Sequence, residues 1–353
     1  MAKNLMKGCE AIAEAAIQAG CRYFFGYPIT PQNDIPEYMS ARMPKIGGCF
    51  LQAESEVAAI NMVYGAAGAG ARVMTSSSSP GISLKMEGIS YIAGAELPCV
   101  IVNMMRGGPG LGSIQASQGD YFQTTKGGGH GDYHMIAYAP ASVQEAIDLM
   151  QTAFDVADKY RTPVMVLADG IIGQMMEPVE IKENTGNAPK KDWATTGWKK
   201  GERARAVVNS LYIEVEDLEE MTERLQARYR QIEKDETLVE CYNTDGAEFI
   251  LCAYGTVARI CKTAIAQLQK QGVKAGLVRP ITVWPFPAKA VHDAMCAPGV
   301  KMALCVEISA GQMIEDVRLA VNGEREIAFL GHAGSRVPTA EEIAEKVLAM
   351  RGA

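Results

Sequence analysis

The sequence has no long apolar run and no excess of basic residues. Nothing in its 353 residues resembles an apolar span of about 20 residues that could cross a membrane. The Met-Ala-Lys-Asn start lacks the pattern of a signal peptide. Acidic residues (41) outnumber lysine and arginine (34), which gives a formal net charge of −7, whereas nucleic-acid binding requires a basic face. We therefore expect a cytoplasmic protein that binds neither nucleic acid nor membrane.

Closely paired cysteines are also missing. The nine cysteines include no C-x-x-C pair and no C-x₂-C-x₂-C run. This spacing argues against an iron–sulfur cluster or a structural zinc site in this chain. Several cysteines stand in apolar runs, as Cys99 and Cys252 do. We expect them to be reduced and to pack as small buried residues.

Aromatic residues are few, at 7%, whereas 35 glycines and a hydrophobic fraction of 48% favour closely packed α/β layers. Helix-like and strand-like segments alternate through the first half of the chain. The predicted segments are a helix over 6–20, a strand over 23–27, a helix over 56–69, a strand over 72–75, a helix over 83–94, a strand over 99–104, a helix over 142–160 and a strand over 163–168. This alternation is typical of a parallel, doubly wound sheet.

A polar stretch separates this half from a second α/β unit. Residues 181–245 contain a charged helix over 216–236. They form either a solvated connecting arm or an arm that docks onto another subunit. The segments predicted beyond the arm are a strand over 249–253, a helix over 257–271, a strand over 273–278 and a strand over 302–306. The sequence thus predicts two doubly wound α/β domains, over residues 1–180 and 246–353.

Two loops rich in glycine or serine are candidates for anion binding. Residues 106–112 follow a predicted strand but lack the G-x-G-x-x-G spacing, and the chain has no G-x-x-x-x-G-K-[ST] motif. A dinucleotide or P-loop site is therefore poorly supported. Residues 75–81 read Thr-Ser-Ser-Ser-Ser-Pro-Gly between a strand and a helix. Their N–H groups could bind an anion, or they could serve as a turn and a helix N-cap.

Two of the four histidines lie in the glycine-rich segment 127–134. His130 and His134 are four residues apart, with Asp132 between them. A metal site would need a third firm ligand on a rigid element, whereas three glycines precede His130. We predict no metal ligands in this chain. A His130 that reaches a substrate and a plain solvated loop both stay open as interpretations.

Two glutamates open the alanine-rich helix predicted over 56–69. Glu56 falls in its first turn, where a carboxylate would stabilise the helix dipole by about 0.3–1 kcal/mol. Glu54 stands two residues earlier. The two are too close in sequence to act as an acid/base pair across a cleft. The residues alone leave Glu56 either structural or functional.

Three motifs in order carry a resemblance to a known family. They are Gly-Tyr-Pro-Ile-Thr-Pro-Gln-Asn over 26–33, Ala-Glu-Ser-Glu over 53–56 with Gly-Ala at 65–66, and Arg106 after Asn-Met-Met. Together they resemble the α subunit of the 2-oxoacid:ferredoxin oxidoreductases, over nearly the whole chain. Residues 247–256 and 277–287 look like the transketolase C-terminal-type domain of that family. The run from Gly26 to Ser40 makes the chain most similar to the 2-oxoisovalerate (branched-chain) subunits.

The resemblance implies a thiamine diphosphate pyrimidine-binding domain followed by a transketolase C-terminal-like domain. It implies oxidative decarboxylation of a branched-chain 2-oxoacid to its acyl-CoA and CO₂, with reduction of ferredoxin. Glu56 matches the catalytic glutamate that hydrogen-bonds the pyrimidine ring nitrogen. The other site residues implied are Tyr27, Pro28 and Ile29 for the cofactor and Thr30 and Arg106 for the substrate, with Glu54 and His130 as further candidates.

Motifs expected for the rest of the enzyme are missing from this chain. A G-D-G with a later N-N, which marks the diphosphate half of the cofactor site, does not occur. We therefore expect Mg²⁺ and the diphosphate on a β subunit, [4Fe-4S] clusters on partners that include a ferredoxin-like subunit, a γ subunit, and coenzyme A as acyl acceptor. The chain alone should be inactive. The alternatives are a 2-oxoglutarate enzyme of the same family, a non-catalytic scaffold and a free-standing dinucleotide-binding protein.

Overall fold

The computed structural model describes residues 3–183 and 189–351 and has two α/β units, each built on a largely parallel sheet. The predicted fold class is confirmed. The strands are β1 (Asn4–Lys7), β2 (Tyr23–Gly26), β3 (Cys49–Gln52), β4 (Val73–Ser77), β5 (Cys99–Met105), β6 (Ile136–Tyr138), β7 (Pro163–Asp169), β8 (Met176–Val179), β9 (Val239–Tyr242), β10 (Phe249–Cys252), β11 (Ala275–Pro280), β12 (Thr282–Trp284), β13 (Met302–Glu307) and β14 (Ile327–Gly331).

The helices cover both faces of the sheets. They are α1 (Gly8–Gln18), α2 (Asp34–Arg42), α3 (Glu56–Gly68), α4 (Ser79–Gly94), α5 (Tyr121–Thr125), α6 (Val143–Tyr160), α7 (Gly170–Gln174), α8 (Val215–Asp235), α9 (Gly255–Lys270), α10 (Ala288–Met295), α11 (Met313–Val321) and α12 (Ala340–Arg351), with a 3₁₀ turn over Met43–Ile46. Among the described residues, no helix has the length and apolar character needed to cross a membrane.

The N-terminal sheet has seven strands in the order β12-β6-β7-β5-β4-β2-β3. All neighbours run parallel except β12, which is antiparallel to β6. Every residue of β5 and β7 is buried, because helices lie on both faces of a doubly wound sheet. The carboxyl ends of β2, β4 and β5 therefore meet at one edge, where ligands bind in this architecture.

The C-terminal sheet has the order β14-β13-β10-β11-β9 and is parallel except for β9. Two strands pair with a sheet that their predicted segment does not contain. Strand β9, from the predicted arm, pairs with β11, and β12, from the predicted C-terminal domain, extends the N-terminal sheet. The domain boundaries at residues 180 and 246 stay a prediction. Strand β9 precedes residue 246 but belongs to the C-terminal sheet, and β12 follows residue 246 but belongs to the N-terminal sheet.

Several element boundaries differ from the predicted ones. Helix α4 begins at Ser79 rather than at residue 83, because Pro80 occupies the first turn, where a missing N–H costs nothing. Ser142 caps α6 by accepting from the Glu145 N–H at 3.1 Å. Sequence patterns gave no signal for α2, β3, β6 or the β1–β8 pair, which are short elements.

The predicted arm is only partly solvated. Helix α8 buries Met221, Leu225, Tyr229 and Ile232. The Tyr229 ring packs edge-on against Trp284 at 5.5 Å between centroids. An interpretation of α8 as simply solvated is therefore wrong, because one face of the helix docks onto its own chain. Docking of the arm onto another subunit stays a prediction.

Candidate functional site

Glu56 occupies the first position of α3 and is buried, with 6% of its surface exposed. Ser55 caps this helix and accepts a hydrogen bond from the Ala58 N–H at 3.2 Å. Within the described residues, the Glu56 carboxylate makes no hydrogen bond. A buried carboxylate without a donor is costly. The sequence therefore places an acidic group at the sheet edge with its hydrogen-bonding capacity free.

Gly81 on α4 gives Glu56 the space that it occupies. A Cβ atom at Gly81 would lie 2.6 Å from Glu56 Oε1 and 2.0 Å from Ser77 Oγ. Both distances are shorter than van der Waals contact, so any larger residue would displace these two side chains. Ser77 Oγ and Ser78 Oγ are buried, and neither has a hydrogen-bond partner among the described residues. We call this group of Glu56, Ser77, Ser78 and Gly81 the carboxylate cradle.

Arg106 follows β5 and joins the cradle region to the loop after β2. Its guanidinium donates from Nη1 to the Thr30 carbonyl at 3.0 Å and from Nη2 to the Leu111 carbonyl at 3.1 Å. Nε is buried without a partner, and the residue is 8% exposed. The structure thus brings two predicted substrate residues, Thr30 and Arg106, into direct contact.

A buried hydrogen-bond network, which sequence reasoning missed, supports Arg106. Ser79 Oγ donates to Asp120 Oδ2 at 2.6 Å and accepts from the Arg106 N–H at 3.0 Å. Asn103 Nδ2 donates to the same Asp120 oxygen at 2.8 Å. Burial raises the pKa of Asp120, and these two donors partly oppose the rise. The serine run and the Asn-Met-Met-Arg motif contain Ser79 and Asn103, but nothing in the sequence indicated that both bind Asp120.

The serine run 75–81 forms the end of β4 and the start of α4. Thr75, Ser76 and Ser77 belong to β4, and Ser78 is the N-cap position of α4. Ser78 makes no side-chain cap bond. Of the two open interpretations, the turn-and-cap one describes the backbone, and anion binding stays a prediction.

A cavity of about 650 Å³ opens beside Thr30. Its wall includes Pro31 and Asp34 from the loop and start of α2, and Ile114, Ala116 and Ile171 opposite. No lysine or arginine lines it. The cavity is therefore a mainly apolar space with one acidic group, next to the Thr30–Arg106 contact.

The remaining predicted site residues lie at varied distances from the cradle. Tyr27 and Ile29 are half-buried, and Pro28 is exposed. The carbonyl of Tyr27 accepts from Gln32 Nε2 at 3.1 Å, which fixes the loop. Glu54 is exposed to solvent rather than turned into the cradle.

His130 is exposed and lies away from Glu56. Its carbonyl accepts from Ser90 Oγ at 2.6 Å, and Ser90 is nine residues beyond Gly81, about 13 Å along α4. His134 stacks on Trp284 at 4.6 Å, and burial lowers its pKa. These contacts favour the interpretation of 127–134 as a loop remote from the site.

Comparison with known proteins agrees with the fold. A family described as "Pyruvate flavodoxin/ferredoxin oxidoreductase, thiamine diP-bdg" matches residues 14–241, and "Pyruvate:ferredoxin oxidoreductase core domain II" matches 247–343. The ketoisovalerate oxidoreductase subunit VorB of Methanothermobacter thermautotrophicus is 46% identical, over 100% of this chain and 99% of that protein. The 2-oxoglutarate synthase subunit KorA of Methanocaldococcus jannaschii is 36% identical, over 99% and 100%.

Comparison with solved structures also finds this family and its fold. A 2-oxoglutarate:ferredoxin oxidoreductase from Magnetococcus marinus, with 2-oxoglutarate, coenzyme A and succinyl-CoA bound, superimposes with a TM-score of 0.85 at 25% identity. The match covers 98% of this chain and 65% of that one, so the chain spans about two thirds of this relative. A split-gene transketolase shares the fold at a TM-score of 0.60 and 12% identity. The chain therefore belongs to the 2-oxoacid:ferredoxin oxidoreductase family, as a subunit of an enzyme that works as a complex.

Proposed function

We propose that this chain supplies the pyrimidine-binding half of a thiamine diphosphate site and the substrate-binding residues of a branched-chain 2-oxoacid:ferredoxin oxidoreductase. The observation that carries this proposal is the carboxylate cradle: a buried Glu56 with free hydrogen-bonding capacity, held open by Gly81, beside the Thr30–Arg106 contact.

The cradle has the chemistry that an aminopyrimidine needs. Bound thiamine diphosphate supplies a nucleophilic carbon and an electron sink for decarboxylation of a 2-oxoacid. Glu56 would share a proton with the ring nitrogen, and its burial keeps that proton from exchanging freely with water. The free Ser77 and Ser78 hydroxyls are further donors at the same place. Tyr27, Pro28 and Ile29 would form the neighbouring wall.

Arg106 is the group that would bind the substrate carboxylate. A guanidinium presents several N–H donors in one plane, which suits a carboxylate better than an ammonium does. Two of its nitrogens already hold the carbonyls of Thr30 and Leu111, so the fork is fixed in place. Nη1 and Nη2 each carry a second N–H and Nε carries one, so three of the five donors make no hydrogen bond within the described chain and are left for a ligand.

The cavity beside Thr30 favours a branched aliphatic side chain over a second carboxylate. A 2-oxoglutarate tail would need a cation, whereas the charged residue that lines the cavity is Asp34, and the neighbouring Lys7 already pairs with it at 3.2 Å. The 46% identity to a ketoisovalerate subunit, against 36% to a 2-oxoglutarate synthase subunit, points the same way. We therefore propose 2-oxoisovalerate as the substrate class.

Partner subunits complete the proposed enzyme. A β subunit would hold the diphosphate and Mg²⁺, because the G-D-G and N-N motifs are missing here. The clusters would lie on partners that include a ferredoxin-like subunit, since the nine cysteines lack cluster spacing. A γ subunit, coenzyme A as acyl acceptor, ferredoxin as electron acceptor and a cytoplasmic location complete the proposal.

The test is a substrate panel on the complex purified from its source. We expect coenzyme A-dependent ferredoxin reduction that is strongest with 2-oxoisovalerate. Strongest activity with 2-oxoglutarate would keep the chemistry but overturn the proposed substrate. An intact complex that contains thiamine diphosphate and clusters but reduces nothing would favour a scaffold role, and tight NAD binding by the chain alone would favour a dinucleotide-binding protein.

A further inference from the structure

Lys85 on α4 is a fully buried lysine that the proposed function does not use. Its side chain is 0% exposed, and Nζ donates to Thr75 Oγ1 at 2.6 Å and to the Ser76 carbonyl at 3.2 Å. Both acceptors belong to β4 and are neutral. No carboxylate of the described chain forms an ion pair with it. Burying an ammonium without an anionic partner is costly, so this lysine needs an explanation other than stability.

The position of Lys85 relates it to Glu56. Gly81 and Lys85 are four residues apart on α4, so they share one face and lie about 6 Å apart. Gly81 is in the carboxylate cradle, against Glu56 Oε1 and Ser77 Oγ. Lys85 is thus one helical turn C-terminal to Gly81 of the cradle, and it is bonded to Thr75 and Ser76, the two β4 residues that precede Ser77.

Glu56 is the charged group that acts on Lys85. Burial lowers the pKa of Lys85 to about 7, and the negative charge of Glu56 opposes part of that change. The neighbours on β4 are uncharged, and Asn103 of β5 is neutral. Asp120 is bonded to Ser79 and Asn103.

We propose that Lys85 is a positioning residue that acts through Glu56: its charge state sets how readily Glu56 gives up its proton in the cradle. An ammonium one turn below attracts the carboxylate form of Glu56, and a neutral amine does not. Lys85 itself touches neither cofactor nor substrate. This inference deepens the proposed function and rests on it for its catalytic meaning, but the coupling between the two side chains is a property of this chain alone.

The coupling can be measured without cofactor or partners. The full chain is labelled with ¹³C at lysine Cε, and the Lys85 resonance is assigned from its loss in Lys85→Met or Lys85→Arg and followed by NMR against pH. We expect it to titrate near neutrality, and Glu56→Gln to lower its midpoint by about 0.5 pH unit or more. Glu54→Gln, an exposed change two residues away, is the matched control and should not move it. A midpoint near that of free lysine, or one that Glu56→Gln leaves unchanged, would overturn the proposal.

A second readout tests the consequence in the assembled complex. Lys85→Met keeps the volume and removes the charge, so the acidic limb of the pH profile of kcat/KM should move to higher pH by about one unit. Lys85→Arg keeps the charge and should not move the limb upward. A purely structural lysine would lower the yield of complex in both variants with no shift of the limb, which would contradict the proposal. A complex that binds no thiamine diphosphate would refute the proposed function but leave the NMR coupling intact.

Discussion

At the residue scale, the site depends on one small residue as much as on the charged ones. The side chains of Glu56 and Ser77 occupy the space that a Cβ of Gly81 would take, so this position depends on the glycine. Arg106 is held by backbone carbonyls, and Ser79 and Asp120 fix the chain around it. The site therefore depends on the missing Cβ of Gly81 as well as on its charged side chains.

Gly81→Ala should impair the cradle without unfolding the chain. The new Cβ would meet Ser77 Oγ and Glu56 Oε1 at 2.0 and 2.6 Å and displace the carboxylate. We expect thiamine diphosphate binding by the complex to weaken about tenfold or more. Isothermal titration measures it. Gly65→Ala on α3, where a Cβ meets nothing within 4 Å, is the control and should bind normally.

Arg106→Lys should raise KM for the 2-oxoacid. Lysine keeps the charge but loses the planar fork and the bonds to Thr30 and Leu111. We expect kcat/KM to fall about 10- to 100-fold, with thiamine diphosphate affinity unchanged. Steady-state kinetics on the complex checks this against Arg318→Lys, an exposed change. An unaltered KM would mean that Arg106 is structural.

At the element scale, α8 shows what a charge pattern can and cannot predict. The acidic and basic residues identified a helix over 216–236, and the helix is there. The pattern could not predict which residue binds α8. In the structure, Arg224 and Arg228 of the helix donate to the Glu96 carboxylate. Such contacts join residues more than 120 positions apart and leave no local periodicity.

Glu96→Gln should loosen α8. Burial of Glu96 acts to raise its pKa, but the bonds from Arg228 and Arg224 outweigh it, and the pKa is lowered. The pair therefore stabilises the fold above the ordinary glutamate pKa, and this contribution is lost as pH falls through the lower folded value. We expect a loss of about 1 kcal/mol at pH 7, discounted because Arg224 is half exposed. This difference should begin to shrink as the pH falls below the ordinary glutamate pKa and should vanish only below the lowered pKa of Glu96.

Hydrogen exchange along α8 and denaturant unfolding measure that loss. Glu220→Gln removes an exposed charge from α8 itself and should change neither. Equal protection of α8 in wild type and Glu96→Gln at pH 7 would show that the ion pairs do not anchor the helix.

At the scale of the whole molecule, the sequence predicted the architecture but not how its two sheets connect. Alternating segments indicated two doubly wound units, and the resemblance indicated the family, which the comparisons confirm. The exchange of β9 and β12 between sheets could not be foreseen, because strand pairing is set by tertiary contacts. The bonds from Ser79 and Asn103 to Asp120 escaped notice for the same reason, since the sheet edge brings together residues of α4, of β5 and of the segment before α5.

Arg279→Met should weaken the junction between the two units. Arg279 on β11 is buried and donates to both oxygens of Glu145 on α6, at 2.9 and 2.7 Å, and to Glu240 on β9. Removing one partner of a buried pair leaves uncompensated carboxylates, so we expect the free energy of unfolding to fall by about 3 kcal/mol.

Denaturant titration measures this change. The double variant Arg279→Met with Glu145→Gln should lose less than the sum of the two single changes, because the two side chains interact directly. Lys289→Met, which breaks the exposed pair with Asp293, should cost under about 0.5 kcal/mol. Additive losses would contradict a junction built on this pair.

The most direct test of the central claim compares Glu56→Gln with Glu54→Gln in the assembled complex. Both variants are isosteric, and the two glutamates are two residues apart, but only Glu56 lies in the cradle. We predict that Glu56→Gln lowers 2-oxoisovalerate-dependent ferredoxin reduction at least about 100-fold, because the shared proton is lost, while Glu54→Gln retains activity. Full activity of Glu56→Gln in a complex loaded with thiamine diphosphate would contradict the claim that this carboxylate activates the cofactor.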